Sequence, residues 1–75
     1  MVDAEIIINR IKTALPNAEI RARDLTGGGD HWQLTITAVE FKGKSLIEQH
    51  QMIYRALGDM MKQEIHALSL DTREG

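Results

Sequence analysis

Three histidines and no cysteine stand in this 75-residue chain. His31 follows "TGGGD" and opens "HWQLTIT", His50 sits inside "SLIEQHQMIYRAL", and His66 opens "HALSLD". Neutral imidazole is a good ligand for iron, copper or zinc, whereas the lack of thiols removes disulfide scaffolding, thiol catalysis and every all-cysteine metal site. Two imidazoles would occupy two of the four positions that a tetrahedral iron needs. The other donors must come from elsewhere, because the chain has no HxxxH, no helical HxxE pair and no carboxylate spaced to complete a closed site.

The three rings differ in their surroundings. His50 is at helical spacing from Leu46, Ile53, Tyr54 and Leu57, so it is expected on or beside a buried stripe as a structural histidine with a hydrogen-bond partner. His31 shares strand parity with Gln33, Thr35 and Thr37 and should be solvent-accessible. His66 shares parity with Leu68 and Leu70, which would turn it toward the helices, and a twist or bulge at the sheet edge would be needed to bring it to a joint site with His31. The glycines are expected to let the loop stand clear of the sheet, leaving His31 open to a partner's metal.

Other constellations carry less chemistry. "TGGGD" lacks the Gly-Lys-Ser/Thr of a Walker A loop and leads into a strand, so it reads as a turn before it reads as a phosphate cradle. "FKGKS" sets two lysines around a glycine at a helix start, a solvated turn that could also touch phosphate. Lys42, Lys44, Arg55 and Lys62 are the cations placed near the helical pair, as weak candidates for contact with a partner or nucleic acid. Ser45 and Ser69 have no histidine base arranged with them, and the acidic residues are scattered, so no enzyme is expected.

The elements that must position these residues follow from periodicity. After Asp3 as N-cap, Ala4, Ile7, Ile8, Ile11, Ala14 and Leu15 recur on one helical face until Pro16 ends the segment. In "AEIRARDL", Ile20 and Ala22 alternate with charged residues as in a strand with one wet face. Trp32, Leu34, Ile36 and Ala38 give a second strand that pairs with the first as a loose hairpin. Ser45 and Glu48 form a capping box for a helix running to about Leu57, Gly58 ends it, and Asp59 caps the shorter "MMKQE". "IHALSLD" reads as a last strand. The second and third strands are joined by about 25 residues of helix, a crossover length, so as neighbours they run parallel and their N-terminal ends share one edge.

The bulk composition agrees with one small soluble domain. Hydrophobic residues make up 43% and charged residues 27%, and the net charge is -2 from nine Lys+Arg against eleven Asp+Glu, so no global field draws the chain to nucleic acid or anionic lipid. Ile6-Ile7-Ile8 is far too short for a membrane span or signal peptide, and a cytoplasmic location is expected.

Over residues 18 to 71, with the first helix also in place, the chain resembles the BolA family. The blocks are Asp30-His31-Trp32, Phe41-x-Gly43-x-Ser45, His50-x-x-Ile53-Tyr54-x-x-Leu57 and Ile65-His66-Ala67-Leu68, specific together in this order and spacing. The resemblance implies an α+β fold, α-β-β-α-α-β and K-homology-like, with a three-stranded mixed sheet, helices packed on one face and residues 1–75 as a single BolA-like domain. It also implies partnership with a monothiol glutaredoxin, the two proteins sharing a bridging 2Fe-2S cluster. The glutaredoxin and glutathione would supply thiolates and this chain imidazole, so no cofactor is expected in the isolated chain. Carried over by residue, the ligand of the Ile-His-Ala-Leu block is His66. The loop-side ligand, His or Cys in different members, matches His31, since Gly28 stands where some relatives carry cysteine. Iron homeostasis, stress response and transcriptional regulation are associated with the family. DNA binding through the K-homology-like fold is therefore the alternative, although no GxxG loop lies between the helices. Alone, the chain is expected to be a monomer or weak homodimer.

Overall fold

The computed structural model describes residues 2–63, 65 and 67–75. Helix α1 (Ala4–Ala14) leads to a hairpin of β1 (Glu19–Asp24) and β2 (His31–Thr37), a 3-10 turn over Val39–Phe41, helices α2 (Leu46–Leu57) and α3 (Met60–Gln63), and β3 (Ala67–Arg73). The sheet order is β1-β2-β3, with β1 antiparallel and β3 parallel to β2. This is the element order and the mixed sheet that the sequence predicts, and the helical crossover between β2 and β3 is what lets that pair run parallel.

The hairpin keeps an unbroken register from Glu19 opposite Thr37 to Asp24 opposite Trp32, tighter than the loose pairing expected. Alternation then sorts the faces. Trp32, Leu34, Ile36 and Ala38 are buried, with Ile20 and Ala22 of β1 and Leu68 and Leu70 of β3 packed against them. Helices cover that face only. On the other, Arg21, Thr35 and Asp71 form one row across the three strands, and Glu19, Thr37 and Arg73 the next, leaving a polar sheet surface.

From the helices come Ile7 and Ile11 of α1 and Ile53 and Leu57 of α2, all wholly buried. Removing one such aliphatic side chain from water stabilises by about 1.5–3 kcal/mol, which lets β-branched isoleucines serve in a helix despite their modest propensity. Ile6 faces outward, so the Ile6-Ile7-Ile8 run is split between core and surface. Asp3 occupies the N-cap position of α1, but its side chain makes no capping hydrogen bond.

Around α2 the local chemistry matches the sequence: Ser45 Oγ accepts from Glu48 N at 3.2 Å, and Glu48 Oε1 accepts from Ser45 N at 3.0 Å. Two features here are absent from the sequence reading. The 3-10 turn drives Phe41 into the core, and Gln49 is a buried polar residue. Gln49 Nε2 donates to the Lys44 carbonyl at 3.0 Å, while Thr72 Oγ1 donates to Gln49 Oε1 at 2.6 Å. One amide thus ties the turn before α2 to β3. Among the described residues no helix is long and apolar enough to cross a membrane.

Candidate functional site

The loop between β1 and β2 is built around Asp24, the last residue of β1. One carboxylate oxygen accepts from the amides of Thr26 at 3.3 Å and Gly27 at 3.0 Å, and the other from Gly29 at 2.9 Å. Gly27 and Gly29 have φ of 81° and 76°, a left-handed backbone that turns these amides inward and favours glycine. An anion already fills the nest. The phosphate-cradle alternative for "TGGGD" therefore loses its donors, and the turn reading stands.

Further bonds fasten the loop. The Trp32 indole donates to the Gly29 carbonyl at 3.0 Å, which also accepts from Val2 N at 3.0 Å. Thr26 Oγ1 accepts from Gly28 N at 3.2 Å and donates to Asp30 Oδ1 at 3.1 Å. The expectation of a loop standing clear of the sheet is thus corrected. It is laced to the end of β1, the start of α1 and the ring of Trp32.

His31 follows at the first position of β2, with its side chain 35% exposed and its Nδ1 3.0 Å from Asp30 Oδ1. The Asp30 carboxyl lies below the usual aspartate range, first because of the His31 side chain, with help from the Thr26 hydroxyl and against partial desolvation. A carboxylate touching an imidazole is the arrangement that steadies a metal-binding ring from its outer shell. Among the described residues, no group of three or more histidine, aspartate and glutamate side chains could hold a metal ion.

His66 lies outside the described residues. Its chain neighbours are placed: Ile65 is buried, with its amide bonded to the Met60 carbonyl at 2.8 Å, and the Ala67 amide donates to the Asp30 carbonyl at 3.1 Å. Across the sheet His31 is in register with Ala67. The N-terminal ends of β2 and β3 therefore share one edge, as the crossover length predicts.

His50 is half-buried on α2, and its Nε2 is shielded from solvent with no hydrogen-bond partner among the described residues, whereas a partnered imidazole was expected. Lys42, Lys44, Arg55 and Lys62 are all exposed. Lys44 and Arg55 border one cavity beside α2. Sequence reasoning missed Asp24 and Asp30 as working groups. The signal for Asp24 was available, since an aspartate just before a glycine-rich turn is the usual partner of that turn's own amides.

A family model for BolA-like proteins matches residues 4–74 of this sequence. The chain belongs to the BolA-like family. Among BolA-like relatives, a protein of Rickettsia prowazekii of uncharacterised function is 34% identical over 71 residues, covering 95% of this chain and 92% of its own length. The structure of a BolA homologue from Coxiella burnetii superposes with a TM-score of 0.81 at 32% identity, covering 97% of this chain and 91% of that one. The BolA domain of SufE1 from Arabidopsis thaliana gives a TM-score of 0.83 at 28% identity, covering 97% and 94%. These BolA-like structures share the three-stranded mixed sheet and its helices.

Proposed function

We propose that this BolA-like chain is a cytoplasmic binding protein that docks a monothiol glutaredoxin and co-ligates a bridging 2Fe-2S cluster through His66 and His31. Its role would be cluster trafficking or iron and redox regulation. The observation that carries this is the parallel register, in which His31 stands opposite Ala67, the residue that follows His66 in the chain. The donor chemistry fits: a chain without cysteine can add imidazole but not thiolate, so the glutaredoxin and glutathione supply the sulfur. Partial exposure of His31 at a sheet edge, with the Asp30 carboxylate against its ring, suits a ligand offered to a group that another protein holds. Exchange of thiolate for imidazole at one iron raises the reduction potential and makes the bond sensitive to protonation near neutral pH.

The test is a spectroscopic titration of the purified chain with a monothiol glutaredoxin, glutathione, iron and sulfide. Wild type should produce a visible absorption and circular-dichroism spectrum distinct from that of the glutaredoxin alone, and His66→Ala and His31→Ala should each lose it. Identical spectra with and without wild-type chain would remove the proposal. Partner binding measured in parallel separates out a metal-free adaptor, for which both variants would bind the glutaredoxin as wild type does while no mixture shows a new spectrum. A second reading, DNA binding, draws on the exposure of Lys42, Lys44, Arg55 and Lys62. A gel shift that weakens steeply with salt would support it.

A further inference from the structure

Away from the histidine edge, two cavities of about 270 and 300 Å³ adjoin along the outer side of α1 and α2, with Met52 and Arg55 in the walls of both. The first is floored by Ala14, Leu15, Met52 and Ala56. The second carries the groove past Met52 to Lys44 at the start of α2. The first cavity has an apolar floor, the second is lined mostly by polar and charged side chains around Met52, and the cations stand at the rim.

Lys44 is compensated in part by Glu48, whose carboxyl is held below the ordinary value by the Ser45 amide with help from the Lys44 charge. Among the described residues, the ion pairs are His31 with Asp30 and Arg73 with Asp71, so Lys44 and Arg55 have no carboxylate in salt-bridge reach. Glu48 also borders the groove, accepting from the Ser45 amide at 3.0 Å, so the rim carries one carboxylate beside its two cations. A third cation extends the line: Arg10 reaches the C-terminal end of α2, its Nη1 3.9 Å from where a Cβ on Gly58 would stand. An apolar trough whose rim keeps a net positive charge is complementary to one kind of occupant.

We infer that this groove docks an acidic amphipathic segment of a partner protein, its leucine-like side chains on Met52 and Ala56 and its carboxylates at Lys44 and Arg55. Methionine suits such a floor because its flexible thioether repacks around different side chains. A phosphate backbone would use the cations but leave the Leu15, Met52 and Ala56 surface uncovered, which favours peptide over nucleic acid. The groove begins at the C-terminal end of α1, whereas the glycine loop is fastened at Val2, before its other end, about 16 Å away along an eleven-residue helix. Occupation of the groove therefore leaves the His31 edge accessible, and the two sites are independent.

The probe is a fluorescein-labelled peptide of about three helical turns, with leucine on one face and glutamate on the other. Fluorescence anisotropy with the full chain should show saturable binding that weakens with salt. The double charge reversal Lys44→Glu with Arg55→Glu should loosen it by roughly fivefold or more. Met52→Glu should weaken it comparably. These positions lie on the surface or at its edge, and unchanged circular dichroism will show that the variants remain folded. A control peptide with lysine in place of glutamate should bind the double variant better than wild type. Equal affinity of wild type for both peptides, or wild-type affinity in the double variant, would overturn the inference. So would displacement of the acidic peptide by a short DNA duplex at matched concentration, which would make the groove a phosphate-binding face.

Discussion

Asp24 shows how much one side chain can organise around a glycine-rich turn. Its two oxygens take three backbone amides that would otherwise need water or a ligand, and this holds Asp30 and His31 at the start of β2. Replacing it leaves those donors without their acceptor. Asp24→Ala should cost about 1–3 kcal/mol in urea unfolding, and hydrogen exchange at Gly27 and Gly29 should accelerate, with β1 amides protected as before. Unchanged exchange in the loop would show that the carboxylate does not hold it. At this scale the sequence spoke unevenly. The types of His31 and Asp30 and their place before a strand were readable, because alternation over "HWQLTIT" is a local signal. The amide nest was readable only in part: an aspartate before glycines signals the acceptor, but which amides turn inward depends on two left-handed glycines whose path no periodicity encodes.

Elements were the most predictable level, because caps and faces depend on residues three or four apart. The Ser45–Glu48 box is the clearest instance: both bonds lie within one turn, and both form. Ser45→Ala should lower stability by about 1 kcal/mol, measured by chemical denaturation. The Glu48 carboxyl is held below its ordinary value, chiefly by the Ser45 backbone amide and then by the Ser45 side chain. A carboxylate lowered by folding contributes in full above the ordinary glutamate range, and the contribution disappears as pH falls through the lowered folded-state value. Thermal midpoints of wild type should therefore decline on acidification between about pH 6 and pH 3 more than those of Glu48→Gln, which has no such proton to gain. Parallel curves would show that the box has no linkage to pH. The 3-10 turn over Val39–Phe41 escaped notice for the opposite reason: three residues carry no period, and only the core's need for Phe41 explains it.

Across the whole molecule, long-range ties decide what single segments leave open. The parallel pairing of β2 with β3 could be foreseen from the length of helix between them, but the Gln49 bridge could not, because its partner Thr72 is 23 residues away. Gln49→Met keeps the volume and removes the bonds to Lys44 and Thr72, so it should cost about 1–3 kcal/mol. In a domain of this size that is a loss of roughly 4–20 °C in Tm by calorimetry. Adding Thr72→Val should then cost less than it does in wild type, as expected for two groups in one network. Full additivity would remove the bridge from the account. The same topology has a kinetic corollary. The starts of β2 and β3 come together only when β3 docks across the intervening helical segment, so their shared rim is a product of higher contact order than the local hairpin. A nascent or half-refolded chain can have its glycine turn and first hairpin complete and still offer no finished rim, so any molecule that recognised that rim would by chain order alone meet only a chain whose last strand has docked.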